Sequence, residues 1–550
     1  MTRGAMLGLL LILPALAVEP GRLGPPLRTD GDDRAIPRPK EQPASELYAI
    51  VYNSWFRHLS PETAALASRD KGALNRNAWD EVPDSSWFTN RMGERSLSFD
   101  EILSGLQGAP PQAGVWLAER NVGEGYTPKF RVRDEGGRQY WVKFDLPSAP
   151  ERNSAAERIS TLILYAAGYN VPFNAITRFR REDLQRDKDS LYEDALGKRR
   201  TMTPDDLEAA FLKLKPPADG RYRGLASLVL PDALGKFKYD SARGDDPNDI
   251  IPHQFRRELR GLRVIASWIN HADTGDKNTV DIFVPPDGDR GFVKHYLLDF
   301  GSTLGSGDYT NGPYRVGHEY LFDGSAMAKT FFSLGAWRRP WEAQGKIRYA
   351  EVGYFDAALF DPEKWKPNYP NLAFERMDEG DGYWGAKIVT AFTDDTINKL
   401  AEAGEYSRPE VTQYVAGVLK ERRDIIGRYW MDKVSPLEEF TLAGDRLSFR
   451  DLALERGYAG VDGRKYESWV EDMSGRKGSA PQPCASRTCQ VPVSGEANSP
   501  LDRYGRMPLV RVMIRANRRA GGWGAPVEVV LGREGRGSEV KVLGWRHAPR

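Results

Sequence analysis

The chain has 550 residues, 40% of them hydrophobic and 28% charged, with a mean hydropathy of −0.55. That length suggests about three to four folding units, and the composition can fill a core but is too polar for a polytopic membrane protein. The balance of 78 Lys and Arg against 77 Asp and Glu offers no basic field for nucleic acid, and two cysteines, Cys484 and Cys489, are too few for a disulfide scaffold or a cysteine zinc cluster.

Residues 1–17 combine Arg3, an apolar run from Ala5 to Leu16 and the A-x-A pattern Ala15-Leu16-Ala17. The run is too short to span a bilayer comfortably. It predicts a secretory signal peptide, with an uncleaved anchor as the other reading. No other stretch is long and apolar enough for a span, so we expect a secreted or periplasmic protein with no stable membrane insertion. An oxidising compartment would let Cys484 and Cys489 pair across a small loop; two free thiols are the alternative.

Residues 18–45, rich in Pro, Arg and Asp without periodicity, read as a disordered linker. Within 46–112, Leu47, Ile50, Val51, Trp55 and Phe56 recur at helical spacing and predict a helical N-terminal extension. The loop 79–88 carries two Trp that should pack on a neighbouring lobe. Residues 113–230 form the next unit. Lys129 to Arg133 and Tyr140 to Phe144 alternate with period two around the turn 134–137, a β-hairpin. Ser148-Ala149-Pro150-Glu151 has the capping-box layout of a helix that Gly168 ends. A strand near Ala175, a charged insertion over 180–220 and a strand over 225–230 follow.

Residues 231–435 turn helical. Phe255, Leu259, Leu262, Ile265 and Ile269 share one helix face, while Arg256, Arg257, Arg260 and Arg263 lie mostly elsewhere, as a solvated face would. Further helices are expected near 394–403 and 408–430. The acidic stretch Asp245, Asp246 and Asp249 either binds a cation or substrate, or caps the following helix as a solvated loop. Residues 436–550, with a Ser/Pro/Gly-rich stretch and three short strand patterns, read as a small β-rich domain.

No P-loop, H-E-x-x-H or G-x-S-x-G motif occurs. Directly after the apolar helix comes Asn270-His271-Ala272-Asp273-Thr274-Gly275-Asp276-Lys277-Asn278, and 21 residues beyond Asn278 stands Asp299-Phe300-Gly301. H-x-D-x-x-x-x-N followed by D-F-G is the layout of a protein-kinase catalytic centre. Phosphoryl transfer needs a carboxylate to position a hydroxyl, for which Asp273 is the candidate. It needs oxygen ligands for Mg²⁺, for which Asn278 and Asp299 are the candidates. Upstream, Lys143 sits on a strand where a lysine would hold nucleotide phosphates. Glu157, fourteen residues on, is its candidate helix partner, unless Ser154 to Glu157 is itself the capping box. Gly123, Gly125 and Lys129 precede or open the hairpin, where either a phosphate-covering loop or a plain turn would lie.

Over about residues 115–430 these stretches resemble the atypical protein-kinase-like enzymes of the HipA and CotH type. The resemblance implies an α+β, two-lobed protein-kinase-like core, here with a helical N-terminal extension and a small β-rich C-terminal domain. Together with the predicted signal peptide, it implies an exported phosphotransferase that uses ATP with Mg²⁺, or Mn²⁺; the acceptor is a protein hydroxyl or a small molecule. No A-P-E follows the D-F-G, and His271-Ala272-Asp273 lacks the arginine that reads an activation-loop phosphate, so such regulation is not expected. The long interval between Asn278 and Asp299 implies an inserted hairpin turn at 285–288. A catalytically inactive kinase-like module that binds a nucleotide or a partner, a secreted structural protein, and nucleotidyl instead of phosphoryl transfer stand as alternatives.

Overall fold

The computed structural model describes residues 31–42, 51–56, 72–123, 128–194, 197–214, 219–287, 290–307, 315–343, 345–491, 506–535 and 538–547. The signal-peptide stretch 1–17 and Gly125 lie outside the described residues. Residues 31–42 differ from the disordered linker expected of them. They carry strand β1 (Ile36–Pro37), which pairs antiparallel with residues 290–291. Ile36 is buried among Leu234, Phe283 and Val293, and the buried Asp32 carboxylate accepts the Ser86 N–H at 2.9 Å and the Ser86 hydroxyl at 2.7 Å. One apolar anchor and a few hydrogen bonds hold a segment with no periodic pattern. Of the predicted helical extension, the described part holds a π-helical turn, Tyr52–Phe56, and the short helix α1 (Phe99–Gly105), started by a Ser98–Glu101 capping box.

The next unit is built on a seven-stranded sheet. Its strands are β2 (Trp116–Val122), β3 (Lys129–Arg133), β4 (Gln139–Phe144), β5 (Asn174–Arg180), β6 (Leu184–Glu193), β7 (Arg199–Thr201) and β8 (Arg221–Leu228). They lie in the order β5-β8-β4-β3-β2-β6-β7, with β2 and β6 parallel. Two helices belong to this unit, α2 (Arg152–Ala167) and α3 (Pro204–Leu212). The β3–β4 hairpin forms as its alternation requires. The Asp134 carboxylate accepts the Arg138 N–H at 2.8 Å, and Gly137 takes the positive φ of +80° that the turn demands. Phe130, Val132, Tyr140, Val142 and Phe144 cluster with Leu207 and Phe211 of α3. The intervening Lys129 and Lys143, direct cross-strand partners, are left to the opposite face, where α2 packs. The stretch 180–220, read as a charged insertion, supplies β6, β7 and α3. The Ser148 capping box does not form. Helix α2 starts at Arg152 because the Asp145 carboxylate, not Ser148, accepts the Asn153 and Ser154 N–H groups, at 2.8 and 2.9 Å.

The helical unit comprises α4 (Arg257–Trp268), the hairpin β9 (Thr279–Asp287) and β10 (Arg290–Leu297), α5 (Gly324–Phe332), α6 (Leu372–Glu375), α7 (Glu379–Val389), α8 (Asp394–Glu402) and α9 (Pro409–Lys433). Leu259, Leu262 and Ile265 of α4 join Trp384 and Ile388 of α7 and Val415 and Leu419 of α9 in one core. Gly261 permits that approach, since a Cβ there would lie 2.5 Å from the Trp384 ring. The arginines of α4 depart most from expectation. Arg256, Arg257 and Arg260 are fully buried, not solvated. Arg257 pairs with Asp381 at 3.0 Å and Asp80 at 2.9 Å, Arg260 with Asp381 at 3.1 Å, and Arg256 with Asp249 at 3.3 Å. Asp249 also meets His253 at 2.7 Å and Asp245 meets Arg243 at 3.0 Å. Within the acidic stretch, Asp249 thus belongs to this internal network, while Asp245 remains exposed at the surface.

The C-terminal unit holds β11 (Leu437–Ala443), β12 (Arg446–Asp451), α10 (Leu452–Glu455), β13 (Tyr466–Glu471), β14 (Gln482–Pro483), β15 (Thr488–Gln490), β16 (Met507–Ala516), β17 (Val527–Arg533) and β18 (Lys541–His547). They form the sheets β11-β12-β15 and β14-β13-β16-β17-β18. Cys484 and Cys489 are joined by a disulfide. The N-terminal loop clasps this unit: Trp79 packs on Trp545 at 4.7 Å between ring centroids, and His547 Nδ1 lies 2.9 Å from the Asp80 carboxylate. The other loop tryptophan, Trp87, stacks on His295 of β10 at 3.5 Å. Among the described residues no helix is long and apolar enough to cross a membrane.

Removing one partner from a buried ion pair leaves an uncompensated charge, which costs about 3–5 kcal/mol. Arg257→Ala is therefore expected to lower stability by about that amount, and the double variant with Asp381→Ala by less than the sum of the singles. Denaturant unfolding of the four proteins checks this; additive losses of surface-mutation size would refute it.

Candidate active site

The six candidate residues of strand, helix and loop fall on elements that meet between the sheet and the helices. Lys143 leaves β4 on the sheet face that α2 covers. Its Nζ lies 3.1 and 3.0 Å from the two carboxylate oxygens of Glu157 and 2.9 Å from Asp299 Oδ1. The pairing read from sequence between strand lysine and helix glutamate is thus formed, and Asp299 completes it from the far side of the cleft. Glu157 sits well inside α2 and is buried, so Ser154 to Glu157 is not the start of a helix. The Phe300 N–H also supports the Glu157 carboxylate.

The loop is built from the end of α4. Asn270 adopts a positive φ of +52°, and its Oδ1 accepts the Trp365 indole N–H at 2.9 Å. His271 turns inward. Its N–H reaches the Ala266 carbonyl at 2.7 Å, its ring lies 5.6 Å from that of Phe300, and burial pushes its pKa down to about 4. It is a neutral packing group joining the loop to the D-F-G segment. Asn278 donates from Nδ2 to the Asp273 carbonyl at 2.7 Å, closing the loop on itself. Asp273 Oδ2 pairs with Lys277 at 3.2 Å, while its buried Oδ1 has no hydrogen-bond partner. Lys277 was not singled out from the sequence; its place four residues after Asp273 was the available signal.

Strand pairing then brings the last residue in. Thr279 of β9 pairs with Leu297 of β10, and the Leu298 N–H donates to the Asn278 carbonyl at 2.8 Å, so Asp299 emerges beside Asn278. Asp299 itself has φ +58°, a left-handed conformation that costs a non-glycine residue about 1–3 kcal/mol. Lys143 chiefly holds its carboxyl at about 2, with Lys129 and Lys277 adding to the field. Burial dominates at Glu157, pushing it up to about 7 despite Lys143, and the two carboxylates together raise the Lys143 ammonium above its ordinary value against the cost of burial. Lys129 thus adds to the positive field at Asp299. Gly123 sits just past β2, its N–H bonded to the Glu193 carbonyl at 2.8 Å; a Cβ there would strike the Tyr192 hydroxyl. It joins β2 to β6, and no ligand role follows from that contact.

A strand lysine and helix glutamate on a sheet lobe, facing a polar loop and a D-F-G aspartate on a helical lobe, make the arrangement of an α+β, two-lobed protein-kinase-like core. No protein-family model and no curated protein matches the chain. Among solved structures, the Helicobacter pylori proinflammatory kinase CtkA is similar at 12% identity and a TM-score of 0.28, over 55% of this chain and 91% of that one. The Golgi casein kinase is similar at 11% identity and a TM-score of 0.26, over 74% and 97%. Its structure with Mn/ADP bound gives 11% and 0.25, over 72% and 95%. Likenesses with scores this low define nothing by themselves, and the arrangement rests on the geometry of Lys143, Glu157 and Asp299.

A carboxyl whose folded pKa is depressed from 3.8 to about 2 contributes stability that is present above pH 3.8 and lost as pH falls toward 2. The Asp299 side chain is half exposed, so the contribution is modest. Wild type is expected to lose more stability than Asp299→Asn between those pH values, as read by thermal midpoints. Parallel profiles would show that the Lys143–Asp299 pair contributes nothing.

Proposed function

We propose that the chain is an exported, kinase-like phosphotransferase of HipA-like or CotH-like type. It uses Mg-ATP, with Mn²⁺ as a possible substitute, to phosphorylate a hydroxyl on a protein or small molecule. The observation that carries this reading is Lys143, held by both oxygens of Glu157 while bonded to Asp299. That contact sets an ammonium and a metal-type carboxylate at one point between the lobes.

The donor set fits a hard divalent cation. Asp299 spends one carboxylate oxygen on Lys143, and Asn278 spends its amide nitrogen on the loop, which leaves oxygen donors of the kind Mg²⁺ prefers. Bound Mg²⁺ would neutralise charge on the transferring phosphoryl group. Lys143, anchored by Glu157, would hold the phosphates of the nucleotide, and Lys129 on the same sheet face would add positive field. Asp273 would accept the proton of the acceptor hydroxyl as the hydroxyl oxygen bonds to the γ-phosphorus and the bond to the departing ADP breaks. The neighbouring Lys277 holds one oxygen of Asp273 and fixes the carboxylate's orientation. Export rests on the composition of residues 1–17.

Incubation of the purified protein with γ-labelled or α-labelled ATP and Mg²⁺ or Mn²⁺ tests the reading. Transfer of the γ-label is expected. Asp273→Ala should lower turnover by about a hundredfold to ten-thousandfold with nucleotide affinity nearly unchanged, Asp299→Ala should weaken metal-dependent nucleotide binding, and Lys143→Ala should impair both. Transfer of the α-label would point to nucleotidylation. Nucleotide binding with no transfer, and Asp273→Ala indistinguishable from wild type, would leave a binding module in place of an enzyme.

A further inference from the structure

Helix α5 is turned inside out. A surface helix ordinarily directs its large apolar side chains to the core and its polar ones to water. In Gly324–Phe332 the buried residue is Ala326, preceded by the buried capping Asp323. Met327, Phe331 and, just past the helix, Leu334 recur at i, i+4 and i+7 on the outer side. Phe332 stands next to Phe331, their ring centroids 5.5 Å apart. Exposure reaches 74% at Phe331, 82% at Phe332 and 95% at Leu334. Phe322, ahead of the helix, is exposed too, and Trp55 from the distant π-helical turn comes within 6.2 Å of its ring. Large apolar groups from two remote segments thus share one exposed surface, which soluble proteins seldom carry without an occupant.

The charges around this surface select the occupant. Of the nearby acids, Glu319 and Asp323 are taken up by Arg339 and Lys366, while the exposed Glu342 accepts the Arg339 N–H at 3.3 Å. Lys329 and Arg338 are exposed, and among the described residues no ion pair involves them. Lys329 lies instead over the Trp337 ring at 5.4 Å. Projecting phenylalanines and a leucine, an indole beneath a lysine, and solvated cations at the margin are the ingredients of a segment that lies in a membrane interface, its apolar face at the headgroup–acyl boundary. We propose that α5 and the following residues to Arg338 dock the protein peripherally on an anionic lipid surface. Met327, Phe331, Phe332 and Leu334 enter the interface, and Lys329 and Arg338 meet lipid phosphates. The proposal concerns adsorption, not a membrane span, and is independent of the phosphotransferase reading.

Co-sedimentation of the full chain with vesicles of phosphatidylcholine alone, or mixed with phosphatidylglycerol, tests it. Wild type should bind the mixed vesicles more tightly than the neutral ones, and less well as salt rises. Phe331→Ser with Leu334→Ser should reduce binding to both by about tenfold or more. Lys329→Glu with Arg338→Glu should remove the preference for phosphatidylglycerol while sparing the residual binding. All four side chains are exposed, so both variants should keep the wild-type circular dichroism spectrum and thermal midpoint, and the salt and lipid dependence of wild type reads the proposal even were one variant to misfold. No vesicle binding by wild type overturns the proposal, as does equal binding by wild type and a folded Phe331→Ser, Leu334→Ser variant. A concentration-dependent dimer, abolished by that variant and unaccompanied by vesicle binding, would assign the surface to a second copy instead and equally overturn it.

Discussion

Two guanidinium groups and one carboxylate set the position of nearly everything else. Arg257 and Arg260 share Asp381 inside the protein, and Arg257 also reaches Asp80, which in turn holds His547. Charges this deep are tolerated only when every partner is in place, because desolvation opposes them. The cluster therefore fixes at once the loop before the sheet lobe, helices α4 and α7, and the last strand of the C-terminal unit. The other end of α4 is pinned as firmly. Arg422 of α9 donates to the Trp268 carbonyl at 2.9 Å and to that of Ser267 at 2.5 Å, groups that a helix end leaves without intrahelical partners.

The consequence reaches the cleft because the loop Asn270 to Asn278 begins where α4 ends. A helix anchored at both ends delivers that loop in one position, and the left-handed Asn270, tied to Trp365, turns it toward the sheet lobe. Across the cleft the same logic runs through Glu157. A buried carboxylate that accepts from Lys143 and from the Phe300 N–H connects α2, β4 and the D-F-G segment in one set of bonds. The strain held at Asp299 accompanies the contact that directs its carboxylate to Lys143. Backbone conformations of this kind persist where surrounding structure over-determines them.

Much of the site was legible in the sequence because its parts are local. Lys143 on a short alternating strand, Glu157 in a helix, the H-x-D-x-x-x-x-N loop and the D-F-G turn each occupy a stretch of a few residues whose pattern fixes the local structure. The β3–β4 hairpin, the helix ending at Gly168 and the three C-terminal strand patterns followed from the same short-range rules of period two, period 3.6 and turn chemistry. The start of α2 did not follow, since Asp145, seven residues upstream of the first turn's start at Arg152, outcompeted a well-formed capping motif at Ser148.

What the sequence determined alone is the set of chemical groups and their order along the chain: lysine, glutamate, aspartate, asparagine, aspartate. What only the tertiary structure decided is where charge and apolar surface go. Arg257 and Arg260 read as part of a solvated face because their partners Asp80 and Asp381 lie more than a hundred residues away in sequence, and no local pattern reports a contact of that range. The segment 31–42 looked like a linker because its anchors, Ser86 and residues 290–291, lie on other elements far along the chain. Helix α5 has an ordinary amphipathic spacing, and only the packing of Ala326 inward shows that its phenylalanines face out. Periodicity specifies that a helix has two faces; which of them is buried depends on what the rest of the chain places against it.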